Sequence, residues 1–209
     1  EDGSLNWADG TWDNPLSYTE GKYNGKSRNM TNNLIMDYQL LPYLQLKISL
    51  GYSDYRLDEY RISPSTIFNP SLGLGSERSE AHSNNADRQS WIIEPQVNWQ
   101  RKIKEGLLQI LAGTTFQHQS SKKIGLSATG FPSNDLLYDM STATTGEIGS
   151  NATTLYKYQA VFGRVNYNWK DKYLLNLTAR RDGSSRFGPG NQFSSFGAVG
   201  GAWIISEEN

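Results

Sequence analysis

Cysteine is absent from the 209 residues. That excludes a disulfide framework, a thiol nucleophile and a cysteine-ligated zinc. Histidine is scarce: His82 and His118 are far apart in sequence, with no carboxylate cluster at metal spacing, and both read as solvated. No Gly-x-Ser-x-Gly, His-Glu-x-x-His or phosphate-loop pattern occurs. An enzyme is therefore not expected, nor a bound cofactor or metal. Net charge is −1, so no basic excess points to nucleic acid. No run approaches the roughly 18 apolar residues of a membrane helix. That absence leaves strands open, because a barrel strand shows lipid only every second residue.

Alternation is what the chain has instead. Leu44, Leu46, Ile48, Leu50 and Tyr52 share one face, against Gln45, Lys47, Ser49 and Gly51 on the other. Trp91, Ile93, Val97 and Trp99 repeat the pattern, as do Leu108, Ile110, Ala112, Thr114 and Phe116. Val161, Gly163, Val165, Tyr167 and Trp169 follow, then Tyr173, Leu175, Leu177 and Ala179. Asn29–Leu40 and Phe193–Ile205 are less regular and complete a set of about seven segments. Each runs about 9–13 residues, whereas ordinary strands have about 5–6 and a tilted membrane strand about 9–11. The fold class expected is all-β, an antiparallel meander of about seven long strands.

The connections divide into two kinds. Short ones fall at Leu41–Tyr43, Ile103–Gly106 and Asp171; long ones are expected over 1–28, 57–90, 119–155 and 183–192. A meander places all short turns at one end, the asymmetry of an outer-membrane barrel. Tyr43, Trp99, Trp169 and Tyr173 beside the short turns suit an interfacial girdle. The 12% aromatic content, with 12 Tyr and 6 Trp, agrees. In the long loops Trp7, Trp12, Tyr18 and Tyr60 are weak candidates for stacking on sugar rings, against the plainer reading that they pack the loops together. Asp54, Asp58, Glu59, Asp135 and Asp139 lack calcium-loop spacing and read as solvated acids. The chain opens at Glu1 without Met and stops at Ser206–Asn209 after an apolar run, so it reads as a piece of something longer.

One stretch carries more than pattern. It runs Tyr167-Asn-Trp-Lys-Asp-Lys-Tyr173-Leu-Leu, then Arg180-Arg181-Asp182-Gly183-Ser184-Ser185-Arg186-Phe187-Gly188. It resembles the "KYLL … R-x-D-G-S-S-R-F-G" segment of SusC/RagA-type TonB-linked outer-membrane proteins. Phe162–Tyr167, Asp13–Leu16 and Phe131–Ser133 resemble other parts of that family, in order. Gly200–Glu208 resembles its "GW-x-I-S-x-E", although Ser195-Phe196-Gly197 departs from its "FPS". The resemblance implies that residues 1–209 are part of a 22-stranded transmembrane barrel in a Gram-negative outer membrane, importing glycans or peptides. Plug domain, TonB box and signal peptide would lie outside this stretch. The partners implied are a SusD-like surface lipoprotein and, through the plug, the TonB complex. From the residues alone, the motif reads as structural: Asp182 and Ser184 fold back onto backbone amides, Gly183 permits a turn, and Arg180, Arg181 and Arg186 pair with Asp182 or with lumen acids. The rival reading is a soluble β-rich carbohydrate-binding module, which would show turn signals every 8–12 residues or so and polar outer faces.

Overall fold

A computed structural model describes residues 5–207. Glu208, which ends the downstream motif, and residues 1–4 of the opening stretch lie outside the described residues. Seven antiparallel strands pair in chain order in one sheet. They are β1 (Lys22–Leu41), β2 (Leu44–Ser63), β3 (Glu80–Ile103), β4 (Gly106–Thr129), β5 (Thr145–Trp169), β6 (Tyr173–Ser184) and β7 (Phe193–Trp203). The expected meander is therefore present. Among the described residues no helix is long and apolar enough to cross a membrane.

The strands are longer than the alternation suggests. β1 to β5 have 20, 20, 24, 24 and 25 residues, and the expected long loops shrink to 64–79, 130–144 and 185–192. The reason is visible along β2. The face that carries Leu46, Ile48 and Leu50 continues as Asp54, Arg56 and Asp58. The hydrogen-bonded ladder persists where neither face is apolar, and alternation no longer reports it. Asn85 Nδ2 donates to Asp58 at 2.7 Å and Gln89 Nε2 to Asp54 at 2.8 Å, so polar cross-strand pairs replace greasy ones.

The short turns are tight. Lys170 and Asp171 both take left-handed backbone (φ 56° and 53°), and the Lys172 amide donates to the Trp169 carbonyl at 3.1 Å. Two successive left-handed residues suit the twist of a hairpin. Lys170 Nζ also meets Glu105 at 3.0 Å, joining this turn to the one between β3 and β4.

The chain forms two compact units, and β1 to β5 contribute to both. The loop unit comprises 1–29, 55–88 and 121–154. It holds a sealed core of Ile62, Ala81, Ala128, Phe131 and Leu137, against which Tyr60, Met140 and Ala143 pack. Beside it Ser79, fully buried, donates to Asn134 Oδ1 at 2.6 Å, and the Ser65 amide donates to Ser79 Oγ at 2.7 Å. These bonds tie the 64–79 loop to the 130–144 loop. The wall unit comprises 30–54, 89–120 and 155–209. Its one buried hydrophobic side chain among the described residues is Ala160. Leu46, Leu175 and Leu177 are exposed, and Ile48 and Val165 are half-buried.

Candidate functional site

In the loop unit, the loop ends of β1 and β2 set out a tyrosine cluster. Tyr60 stacks on Tyr138 at 5.8 Å between centroids, and its hydroxyl donates to the Leu137 carbonyl at 2.8 Å. Burial, with Asp139 and Tyr138 nearby, raises the Tyr60 phenol above its ordinary pKa. Tyr138 is 65% exposed and Tyr23 64%, and with Tyr60 they line an open cavity of about 500 Å³. Tyr23 donates to Glu59 at 2.6 Å, and that accepted bond raises the Tyr23 phenol. Arg61, His82 and Asn84 line a second cavity beside Tyr23 and Glu59. This arrangement offers flat ring faces next to fixed donors and acceptors. It has no nucleophile–base pair.

In the wall unit, the Arg180–Gly188 stretch closes β6. The register Tyr158↔Ser184 and Phe162↔Arg180 puts Tyr158, Phe162, Arg180, Asp182 and Ser184 on the polar face. There Arg180 Nε donates to Asp182 at 2.6 Å, and the Tyr158 hydroxyl donates to the same carboxylate at 3.0 Å. The Arg180 guanidinium also lies 5.5 Å from the centre of the Phe162 ring. Ser185 then ends the ladder with both its groups: its amide donates to the Lys157 carbonyl, and its hydroxyl accepts from the Lys157 amide, each at 2.9 Å.

No protein-family model matches the chain. It is 29% identical over 216 residues to TonB-dependent receptor P3 of Formosa agariphila, covering 97% of this chain and 21% of that protein. It is 45% identical over 56 residues to TonB-dependent receptor SusC of Bacteroides thetaiotaomicron, covering 27% of this chain and 5% of that protein. A solved structure of the RagAB peptide transporter superposes with a TM-score of 0.80 at 23% identity, over 93% of this chain and 22% of that one. The chain is similar in sequence to TonB-dependent receptors, SusC among them, and shares the fold of part of a RagA-type barrel. It spans about a fifth of the length of the curated relatives it matches.

In the structure the motif works differently from its sequence reading. Ser184 does accept a backbone amide, that of Arg186 at 3.3 Å. Asp182 instead takes Arg180 and Tyr158, because residue 182 is still paired with Ala160 and Ser194 inside the sheet. Gly183 makes no turn. It stays in β6, and a Cβ there would lie 2.5 Å from Phe193 Cε1 and 3.2 Å from Gln159 Cγ. Its lack of a side chain makes room for the Phe193 ring. Arg181 points to the opposite face from Asp182 and lies 5.2 Å over that ring. Arg186 lies 4.4 Å over Tyr156. Phe187 is 60% exposed in the 185–192 loop, where the Asn191 amide donates to the Gly188 carbonyl.

Of the four aromatic candidates, only Tyr60 lines the tyrosine cavity. Trp12 and Tyr18 are exposed and Trp7 is half-buried, outside that lining. Tyr23 and Tyr138 were not legible as its partners. Tyr138 sits in an irregular loop with no periodic signal, and Tyr23 sits in a strand end that alternation does not mark. Asp139 accepts from the Ser141 hydroxyl (2.6 Å) and amide (3.0 Å), which hold its carboxyl below the usual range. No group of three or more possible metal ligands occurs among the described residues. His118, read as solvated, is half-buried and stacked parallel on Trp91 at 5.8 Å.

Proposed function

We propose that this segment is barrel wall of a TonB-dependent importer in a bacterial outer membrane, taking up glycans with a SusD-like lipoprotein at its loop end. The wall itself does no chemistry. In a closed barrel, with further strands on the outer edges of β1 and β7, every backbone group at membrane depth has a ladder partner, the polar face lines the passage, and the loops gather ligand. In the complete protein, a plug engaged by the TonB complex supplies the energised step.

One observation supports this most. On the apolar face of the wall unit, aromatic side chains stand at both ends. Trp169, Tyr173 and Trp203 are direct cross-strand partners at the turn end, with Trp169 tilted against Tyr173 at 5.5 Å and Tyr173 stacked on Trp203 at 6.3 Å. Phe193 stands opposite Gly183, ten residues up β6 from Tyr173. At about 3.4 Å per residue that is roughly 34 Å along the strand. With the usual barrel tilt it becomes about 24–28 Å of height, close to the roughly 25 Å apolar band of outer-membrane barrels. Leu175, Leu177, Val165 and Val161 lie between the two rows.

Glycan is preferred over peptide because of the Tyr23–Tyr60–Tyr138 cluster. The exposed rings of Tyr23 and Tyr138, with Glu59, Arg61 and Asn84 around Tyr23 in the adjoining cavity, suit a sugar, whose apolar face stacks while its hydroxyls bond. The test uses the full-length receptor in detergent, titrated calorimetrically with panels of oligosaccharides and of peptides. An oligosaccharide should bind, and Tyr138→Ala should weaken it about tenfold, or about 1.4 kcal/mol. Binding of peptides alone, or an unchanged affinity in the variant, overturns the assignment.

A further inference from the structure

The apolar face holds a feature that glycan uptake leaves unused. At the loop end of the wall unit an open groove of about 460 Å³ runs between two aromatic walls. Trp91, lying parallel to His118 with only 3° between planes, stands with Phe116 on one side. Phe193 stands on the other, and Gly183 and Gln159, paired across β5 and β6, form the floor. The floor is bare by construction, since any side chain at 183 would occupy the Phe193 ring.

Two cations stand at this groove. Lys157 lines it, and Arg181 lies over the Phe193 ring. Both are exposed, and neither is ion-paired to a carboxylate among the described residues. No acidic residue lines the groove. Arg181 shares its face with Leu175, Leu177 and Ala179, and faces Val161 across the ladder. Val161, 62% exposed, begins the greasy surface that runs towards the turns. Positive charge at the rim, rings at the sides and an apolar slope below match an amphiphile with an anionic head. A free saccharide has no use for the slope, and a neutral lipid none for the cations. Phosphate is the headgroup that pairs of Lys and Arg hold by charge-assisted bonds.

We propose that this groove binds a phosphorylated glycolipid of the outer leaflet, its phosphate between Lys157 and Arg181, its sugar ring against Trp91 and Phe193, and its acyl chains along Val161. The proposal rests on the outer-membrane reading above, which puts the loop end of the apolar band at the outer leaflet.

The full-length receptor, delipidated in detergent, is mixed with a bis-phosphorylated acylated disaccharide and examined by native mass spectrometry. Separate arms use the dephosphorylated lipid and inorganic phosphate. The phosphorylated lipid should bind at least tenfold tighter than the dephosphorylated one, and phosphate alone should neither bind nor displace it. Lys157→Gln with Arg181→Gln should remove that tenfold preference. Gly183→Ala, which displaces Phe193 but keeps both cations, should weaken the lipid and leave the preference. Equal binding of the two lipids, displacement by inorganic phosphate, or an unaffected double variant each overturns the groove. Fractionation of the cells separates the two readings. Receptor absent from the outer membrane sinks the transporter reading, whereas receptor present there without lipid preference sinks only the groove.

Discussion

The two units of this chain treat their hydrophobic residues in opposite ways. In the loop unit, Phe131 and Leu137 are 1% and 0% exposed, and the groups around them are satisfied within the unit. In the wall unit, Val199 is 78% exposed and Val161 62%. The first unit behaves as a small globule, stabilised by side chains that shield one another from water. The second is stabilised by a ladder, and many of its apolar side chains stand exposed among the described residues. Exposed apolar patches on this scale mark a surface that meets something other than water. The more hydrophobic unit is the one that leaves its apolar side chains exposed, so the direction of the side chains, not their number, sets the contrast.

The largest effect that would sharpen the contrast is expected at Phe131. Truncation to alanine leaves a cavity in a core of five residues, at a cost of about 3–5 kcal/mol. Hydrogen–deuterium exchange on the full-length receptor should show lost protection across 130–144 and around Ile62 and Ala81. Amides of β6 and β7 should keep theirs. Equal loss in both units would mean that they do not melt separately, and the comparison would break.

Next in size is a pair of arginines on neighbouring residues of β6. Leu177 pairs with Val165 and Val199 on the apolar face, whereas Thr178 faces Arg164 on the polar one. Leu177→Arg places a charge near mid-height of the band and should cost about 2–4 kcal/mol in folding into lipid vesicles. Thr178→Arg should cost under about 1 kcal/mol, being a change on a wetted face. Similar penalties for the two would remove the distinction between faces on which the membrane reading stands.

How much of this could be read from the sequence follows the same division. Wherever one face meets an apolar medium, period 2 is legible, so all seven strands, the three short turns and the two faces of β6 were found. Strand ends were not, because Asp54, Asp58 and Asn85 continue a ladder that no hydrophobic pattern records. The motif at Arg180 could be recognised as family-like, yet its geometry depended on Tyr158 and Phe193, contributed by neighbouring strands. Extending the alternation from Phe162 back to Tyr158 would have supplied the first partner. The tyrosine cluster depended on where the 130–144 loop folds, and that is set by Phe131, Leu137 and the Ser79–Asn134 bond, none of which carries a periodic signal.

The smallest expected effect is the dependence of that loop on pH. Asp139 caps its own turn by accepting the Ser141 amide and hydroxyl, and both bonds favour the carboxylate. A carboxyl whose pKa is lowered in the folded state stabilises that state fully above its unfolded pKa, about 3.9, and loses the contribution as pH falls through the lowered value. Pepsin cutting within 130–144 should therefore accelerate as pH drops from about 4 to about 2, beyond the change measured on an unfolded peptide of the same sequence. Asp139→Asn keeps an oxygen that accepts the Ser141 amide but has no charge to lose, so its excess acceleration should vanish. The wall unit supplies the control: cleavage in β6 and β7 should not follow the Asp139 substitution at any pH, since their protection comes from the ladder. A change there would show that the loop unit and the wall share one stability after all.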